Sequence, residues 1–139
     1  MNSWDTVLEE SAAEVLGSMC FAAPEYRGSG HLADAAGAAI SFGGEVEGTL
    51  KLVLEQDLAK QLAADFLGTD SDEVTAEQTR LFTLELANVI CGTALAGIAP
   101  GRHYHLGLPE PIAADGEYQC CFSVAGEAID LGLALELRN

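Results

Sequence analysis

The sequence predicts a single α+β domain, residues 1–139, with an antiparallel sheet and the element order α-β-β-α-α-β-β-β. Its length suits one domain with one core. Hydrophobic residues make up 49 % of the chain, which is enough to fill that core. Some segments have apolar residues at helical spacing, and others alternate apolar and polar residues as strands do. Along the chain, strand segments follow one another in groups of two and three, with helix segments before and between the groups. Runs of this kind predict an antiparallel sheet with helices rather than a βαβ fold.

The first predicted element is a helix from about Trp4 to Cys20. Ser3 is well suited to cap it, and Asp5 lies near its positive end. The segment from Pro24 to Gly30 contains helix and strand breakers, so it is predicted to be a loop.

Two strands and a short helix follow this loop. The strands are predicted at about Ala35–Phe42 and Glu45–Leu54. Along the second, apolar and polar residues alternate, which is typical of a half-buried strand. Gly43–Gly44 is a two-residue hairpin signal between them. The helix is predicted at about Gln56–Phe66 and is ended by Gly68.

The second half of the chain contains the longest predicted helix and the remaining strands. A small acidic linker, Thr69–Glu73, leads into a helix from about Val74 to Ala99, which ends before Pro100. Gly126–Glu127 is a tight turn signal between the last two strands. The three closing strands are predicted at about His103–Leu108, Tyr118–Ala125 and Ala128–Leu137.

Glu85 and Asn88 stand in the middle of the long helix, which is otherwise apolar on almost every side. At about 100° per residue they project about 60° apart. Gly92 and Ala96 continue the same stripe, so the backbone beside the pair is bare. Two interpretations remain open: a polar stripe that faces water, or a carboxylate that binds a cation beside an amide that orients water.

Charge excludes several classes of partner. The chain has 22 acidic and 6 basic residues and a formal net charge of −16. Such a chain repels phosphate backbones and anionic membrane surfaces, so we expect no nucleic-acid binding and no membrane insertion. We expect that no apolar run reaches the length of a membrane span. Residues Met1–Glu10 contain no cation, unlike a signal peptide, which predicts a cytoplasmic protein.

The cysteines and histidines predict no metal site. The four cysteines lack metal-ligand spacing and are expected to stay reduced, three of them in apolar surroundings as small hydrophobes. Cys120 and Cys121 are adjacent in a strand and are expected on its opposite faces. His103 and His105 lie on one strand face without a Cys, Asp or Glu at a companion spacing, so a surface or hydrogen-bonded pair is expected. No P-loop, dinucleotide fingerprint or nucleophile elbow is found.

The segment Glu85-Leu-Ala-Asn88-Val-Ile-Cys-Gly92-Thr-Ala94 resembles the E-x-x-N signature of the CheC/CheX/FliY family of chemotaxis phosphatases. The fuller family pattern is Ser or Asp, three residues, Glu, two residues, Asn, and a later Pro. Pro111 follows Asn88 after 22 intervening residues and agrees with it, whereas Leu81 occupies the Ser/Asp position. Residues 40–50 and 58–68 are also similar to the family, closest to a stand-alone CheX-like protein.

The resemblance implies a pseudo-duplicated domain with the antiparallel sheet packed against long helices. It further implies a phosphatase for the phospho-aspartate of a CheY-like response regulator. Asn88 would orient the attacking water, Glu85 would pair with the regulator's active-site Lys, and Leu81, Gly92, Ala96 and Pro111 would contact the partner. The chain would bind no cofactor itself, and Mg²⁺ is expected in the regulator. The family contains dimers, so a homodimer is expected.

The first helix carries a degenerate form of the same pattern, in Asp5, Glu9 and Ala12. The resemblance interprets it as a second site, which is expected to be inactive because Ala12 has no group that could orient a water. The alternative is an ordinary acidic surface helix.

Two other functions remain open. The first is a non-catalytic module that binds a response regulator or a flagellar switch component. The second is a homomeric scaffold in which the apolar helix forms a subunit interface.

Overall fold

The fold is described for residues 3–98, 101 and 103–138 of a computed structural model, without the side chains of residues 33, 34, 114 and 115. These residues form three α-helices and five strands in the predicted order, with one additional 3₁₀ turn at Ser71–Glu73. The elements are α1 (Trp4–Cys20), β1 (Glu25–Gly44), β2 (Glu47–Glu55), α2 (Gln56–Leu67), α3 (Ala76–Ile98), β3 (Tyr104–Leu106), β4 (Glu110–Ser123) and β5 (Leu131–Arg138).

Local capping explains where the first two helices begin and end. The Ser3 Oγ accepts a hydrogen bond from the Thr6 backbone N–H at 3.2 Å, which confirms the predicted N-cap of α1. Phe21 ends α1 in the left-handed conformation, with φ = 56°. Gly68 ends α2 in the same conformation without the strain that a Cβ would add. The predicted α2 is confirmed and extends one residue further, to Leu67.

A capping box starts α3. The Thr75 Oγ1 accepts from the Gln78 N–H at 3.0 Å, and the Gln78 Oε1 accepts from the Thr75 N–H at 2.9 Å. Because of this reciprocal pair of hydrogen bonds, the helix begins at Ala76, two residues after the predicted Val74. The predicted helix end at Ala99 lies outside the described residues.

The strands differ more from the prediction than the helices do. The predicted loop Pro24–Gly30 is wrong, because β1 starts at Glu25 and pairs with β4 along most of its length. The predicted turn at Gly43–Gly44 is also wrong: both glycines pair with β3, and the chain reverses at Glu45–Val46.

The last three strands keep their order but change their bounds. β3 is limited to Tyr104–Leu106, whereas β4 begins at Glu110, eight residues before the predicted Tyr118. β5 begins at Leu131 rather than Ala128, because the segment before it forms a turn. Asp130 stabilises this turn by accepting from the Val124 and Ala125 backbone N–H groups at 2.9 and 3.0 Å.

The described strands form one antiparallel sheet in the order β2-β5-β4-β1-β3. Because β1 also pairs with β2, from Ala35–Glu55 to Phe42–Gly48, the sheet curls back on itself. Gly37 lies where this curvature brings two strands together. A Cβ added there would lie 1.8 Å from the Leu52 carbonyl oxygen, so the position accepts only glycine.

The main core lies between one face of this sheet and the three helices. A smaller cluster lies on the opposite face and consists of Leu32, Ala35, Val53, Tyr118 and Cys121. Cys120 belongs to the main core and Cys121 to the smaller cluster, so the predicted opposite orientations are confirmed. All four cysteines are buried free thiols.

α3 corrects the expectation that no apolar run reaches membrane-spanning length. By length and hydropathy alone, Ala76–Ile98 passes that test. The helix nevertheless places eight residues in the interior of the fold, as core helices do: Phe82, Thr83, Leu86, Ala87, Ile90, Cys91, Ala94 and Leu95.

Candidate functional site

The candidate site lies on the face of α3 that points away from the core. Five residues at spacings of four, three, four and four share this face because each step returns close to one side of the helix. They are Leu81, Glu85, Asn88, Gly92 and Ala96, and none of them is buried. We call this set the open face of α3. Three of the four predicted partner-contact residues, Leu81, Gly92 and Ala96, therefore lie on the same face as Glu85 and Asn88.

Glu85 is exposed and Asn88 is half-buried. Three residues of helix separate them by about 4.5 Å along the axis and about 60° around it. Neither side chain forms a hydrogen bond or ion pair with any residue in the described part of the chain. The carboxylate therefore keeps its acceptor capacity, and the amide keeps both a donor and an acceptor, for a partner or for water.

Two features make the open face accessible. Among the described residues, and apart from the backbone of α3 itself, a Cβ built on Gly92 would have a single neighbour within 4 Å, the Leu106 Cδ1 at 3.9 Å. The exposed side chain of Ala96 adds only a methyl group one turn further on. A second molecule can therefore approach the backbone next to Asn88 closely.

Leu106 is a residue of this site that the sequence did not indicate. It lies on β3, which pairs with the end of β1, and 40 % of its surface is exposed beside Gly92. Leu81 lies at the other end of the open face and is 51 % exposed. The polar pair is thus flanked along the helix by two exposed apolar side chains, a pattern common in protein-binding surfaces.

Pro111 is not brought to the open face. It lies in β4 opposite Ala38 and lines a cleft of about 590 Å³ together with Thr79 and Thr83 of α3. Thr83 precedes Glu85 by two residues, so the two side chains point about 200° apart around the helix. The predicted contact of Pro111 with a partner stays a prediction, and the structure places it behind the pair.

The degenerate pattern on α1 has a different arrangement. The Asp5 Oδ1 accepts a hydrogen bond from the Gln119 Nε2 at 2.8 Å, which ties α1 to the sheet. Glu9 is half-buried, and Ala12 is completely buried in the core. The position that corresponds to Asn88 is therefore closed to any partner, which adds a second reason to expect an inactive site.

Neither a thiol nucleophile nor a metal centre is found among the described residues. Burial raises the pKa of the Cys91 thiol to about 12, so this residue, which lies on α3 near the pair, stays protonated at neutral pH. Burial likewise raises the pKa of Cys120 to about 12, with Asp5 adding a smaller effect. In the described part of the chain, no three His, Cys, Asp or Glu side chains gather closely enough to hold a metal ion.

Several solved structures share this fold along nearly the whole chain. The chemotaxis protein CheX from Vibrio vulnificus is 14 % identical, with a TM-score of 0.77, and the alignment covers 99 % of this chain and 97 % of that one. CheX from Desulfovibrio desulfuricans is 18 % identical, with a TM-score of 0.74 and coverage of 96 % and 99 %. A CheX–CheY–BeF3–Mg complex from Borrelia burgdorferi is 17 % identical, with a TM-score of 0.75 and coverage of 99 % of each chain.

The sequence itself gives the family. A comparison with curated proteins finds no match. The model of the family described as "Chemotaxis phosphatase CheX" matches residues 36–129, about two thirds of the chain, and this segment includes all of α3 and β3. The protein therefore belongs to the CheX family of chemotaxis proteins.

Proposed function

We propose that this protein hydrolyses the aspartyl phosphate of a CheY-like response regulator, and that the open face of α3 is the surface that binds the regulator and positions the attacking water. The observation that carries this proposal is the position of Glu85 and Asn88 on a bare and otherwise apolar helix face, where neither side chain has a hydrogen-bond or ion-pair partner among the described residues. Membership of the CheX family and the Borrelia burgdorferi CheX–CheY complex support a CheY-like partner.

Asn88 orients the attacking water in this mechanism. Its amide accepts one hydrogen bond from the water and donates another to it, which places the water oxygen in line with the phosphorus. As the oxygen–phosphorus bond forms, the bond from phosphorus to the regulator's carboxylate oxygen breaks. The aspartate leaves as a carboxylate, and the water's proton leaves with inorganic phosphate or passes to solvent.

Glu85 anchors the helix to the regulator. Its unpaired carboxylate faces the same side as Asn88 and offers a partner for the regulator's active-site lysine. Such an ion pair fixes the distance between the amide and the phosphoryl group. In this proposal the regulator supplies the Mg²⁺ and the lysine that balance the transition-state charge, while this chain supplies position.

A non-catalytic binding module is the second candidate function. Leu81 favours it, because this exposed side chain has no polar group at the position where the family pattern has Ser or Asp. In that case the same open face would dock on a regulator or a flagellar switch component without hydrolysis. With leucine in place of Ser or Asp, the chain would still bind the regulator and would lose only the turnover of its phosphate.

Self-association and location complete the proposal. The family contains dimers, and we expect a homodimer that leaves the open face free for the regulator. We also propose a cytoplasmic location, because a response regulator would be met there.

Phosphate release decides between the two candidate functions. The protein is added to purified regulators from the same genome, each labelled with radioactive phosphoryl groups, and free phosphate is followed over time. Catalysis is expected to accelerate release at sub-stoichiometric protein. Capture of the phosphorylated regulator without acceleration would support the binding module instead.

A further inference from the structure

The cleft behind α3 lies apart from the proposed phosphatase surface. It opens between the first turns of α2, the first half of α3 and the paired strands β1 and β4. Its volume of about 590 Å³ falls in the range of small-molecule sites. Thr79 and Thr83 line it from the opposite side of the helix to Glu85 and Asn88, so a ligand there would not occupy the open face.

The charge of this cleft differs from that of the rest of the protein. The chain has six basic residues against 22 acidic ones, yet both Lys60 and Arg80 line the cleft. Arg80 already donates from its Nε to the Glu77 carboxylate at 3.1 Å. Lys60 forms no hydrogen bond or ion pair with the residues that the structure describes.

Lys60 is distinctive among the cations of the described chain. Each of the others donates to a protein group within the fold; these are Arg27, Lys51, Arg80 and Arg138. Asp57 lies three residues before Lys60 and also lines the cleft, but the two are not within ion-pair distance. An ammonium group therefore stands free at the rim, with one carboxylate nearby to disfavour a ligand with two negative charges.

Apart from Gln56, Thr79 and Thr83, the remaining wall of the cleft is apolar. Val74 and Ala59 are buried beneath it, and Pro111 of β4 forms the opposite side. The next residue, Ile112, also borders the cleft, although its side chain packs with the smaller cluster on the other face of the sheet. Apolar walls of this kind hold a hydrocarbon or ring, while a charged group at the rim fixes its orientation. We propose that the cleft binds a small organic monocarboxylate, whose acidic group pairs with Lys60 and whose apolar part rests on Val74 and Pro111.

Amide chemical shifts test this proposal directly. ¹⁵N-labelled protein is titrated with hexanoate and benzoate, and in parallel with hexanamide and benzamide as uncharged controls of equal size. The carboxylates are expected to give saturable shifts at Lys60, Val74 and Ile112. Equal affinity for the amides, or weak shifts scattered over the surface, would overturn the proposal.

Three variants separate a specific charge pair from general attraction. Lys60→Gln is expected to weaken carboxylate binding about tenfold, the effect of losing one charge-assisted hydrogen bond. Lys60→Arg should retain affinity within about twofold, because the charge remains. Lys51→Gln, on the outer sheet face where Lys51 pairs with Glu136, should change nothing. Unchanged affinity in Lys60→Gln would contradict the proposal whether or not the protein is a phosphatase.

Discussion

Replacing Asn88 with alanine isolates the proposed chemistry from the fold. The amide is half-buried and makes no hydrogen bond to any described residue, so its removal leaves no buried group unpaired. Alanine is also the better helix former, by about 0.5 kcal/mol. We therefore expect the free energy of unfolding to change by less than about 1 kcal/mol.

The effect on turnover should be much larger. If the amide places the attacking water, its loss removes an interaction that is made mainly in the transition state. Single positioning or stabilising groups of this kind contribute about a hundredfold in rate, or roughly 2.7 kcal/mol. We expect phosphate release to fall by about that factor, while affinity for the phosphorylated regulator changes by less than about threefold.

A matched amide elsewhere provides the control. Gln61 is exposed on α2 and donates to Asp65 at 3.0 Å, away from the open face of α3. Gln61→Ala should release phosphate at the wild-type rate. Both variants are compared by single-turnover release at saturating protein, with circular dichroism and urea unfolding to confirm the fold.

Either of two results would refute the proposed role of Asn88. If Asn88→Ala retains more than about one third of the wild-type single-turnover rate, the amide does not place the water. If it loses the rate together with more than about 2 kcal/mol of stability, the effect belongs to the fold.

Three further outcomes are expected. Glu85→Gln should weaken binding of the phosphorylated regulator about tenfold at low salt in isothermal titration, and equal affinity would exclude the anchoring ion pair. Leu106→Gln should raise KM for the regulator severalfold with little change in kcat, whereas the comparably exposed Leu137→Gln on β5 should change neither; equal effects would exclude a specific contact. Gly37→Ala should lower the free energy of unfolding by about 3 kcal/mol or more because its Cβ would meet a carbonyl oxygen at 1.8 Å, whereas Gly126→Ala, with open space around it, should stay within about 0.5 kcal/mol in urea titrations.

Helices were predictable from the sequence because their signals are local. Ser3 and Gly68 mark helix ends through caps that involve only neighbouring residues. The first half of β1 was missed because Gly28 and Gly30 are typical of loops, and only pairing with distant β4 makes the segment a strand. The start of β4 depends on distant pairing in the same way, since Pro111 lies opposite Ala38 of β1.

The candidate site likewise contains residues that local spacing predicts and one that only long-range pairing brings in. Glu85 and Asn88 lie on one helix, so their spacing alone places them together. Leu106 could not be found in this way, because it reaches the site through the pairing of β3 with β1 and its contact with Gly92. No periodicity within residues 104–106 carries that information.

The candidate surface is built from a short strand, β3, and a long helix, α3, which are expected to change at different rates in evolution. Three residues hold this strand to the sheet, whereas α3 is 23 residues long and fixed in the core. Under the proposed function, changes in the short strand would alter which regulator is accepted, while the long helix would keep Glu85 and Asn88 in place. Paralogues that diverge in signalling pathway are therefore expected to vary first at positions 104–106 and last at the Glu85–Asn88 pair.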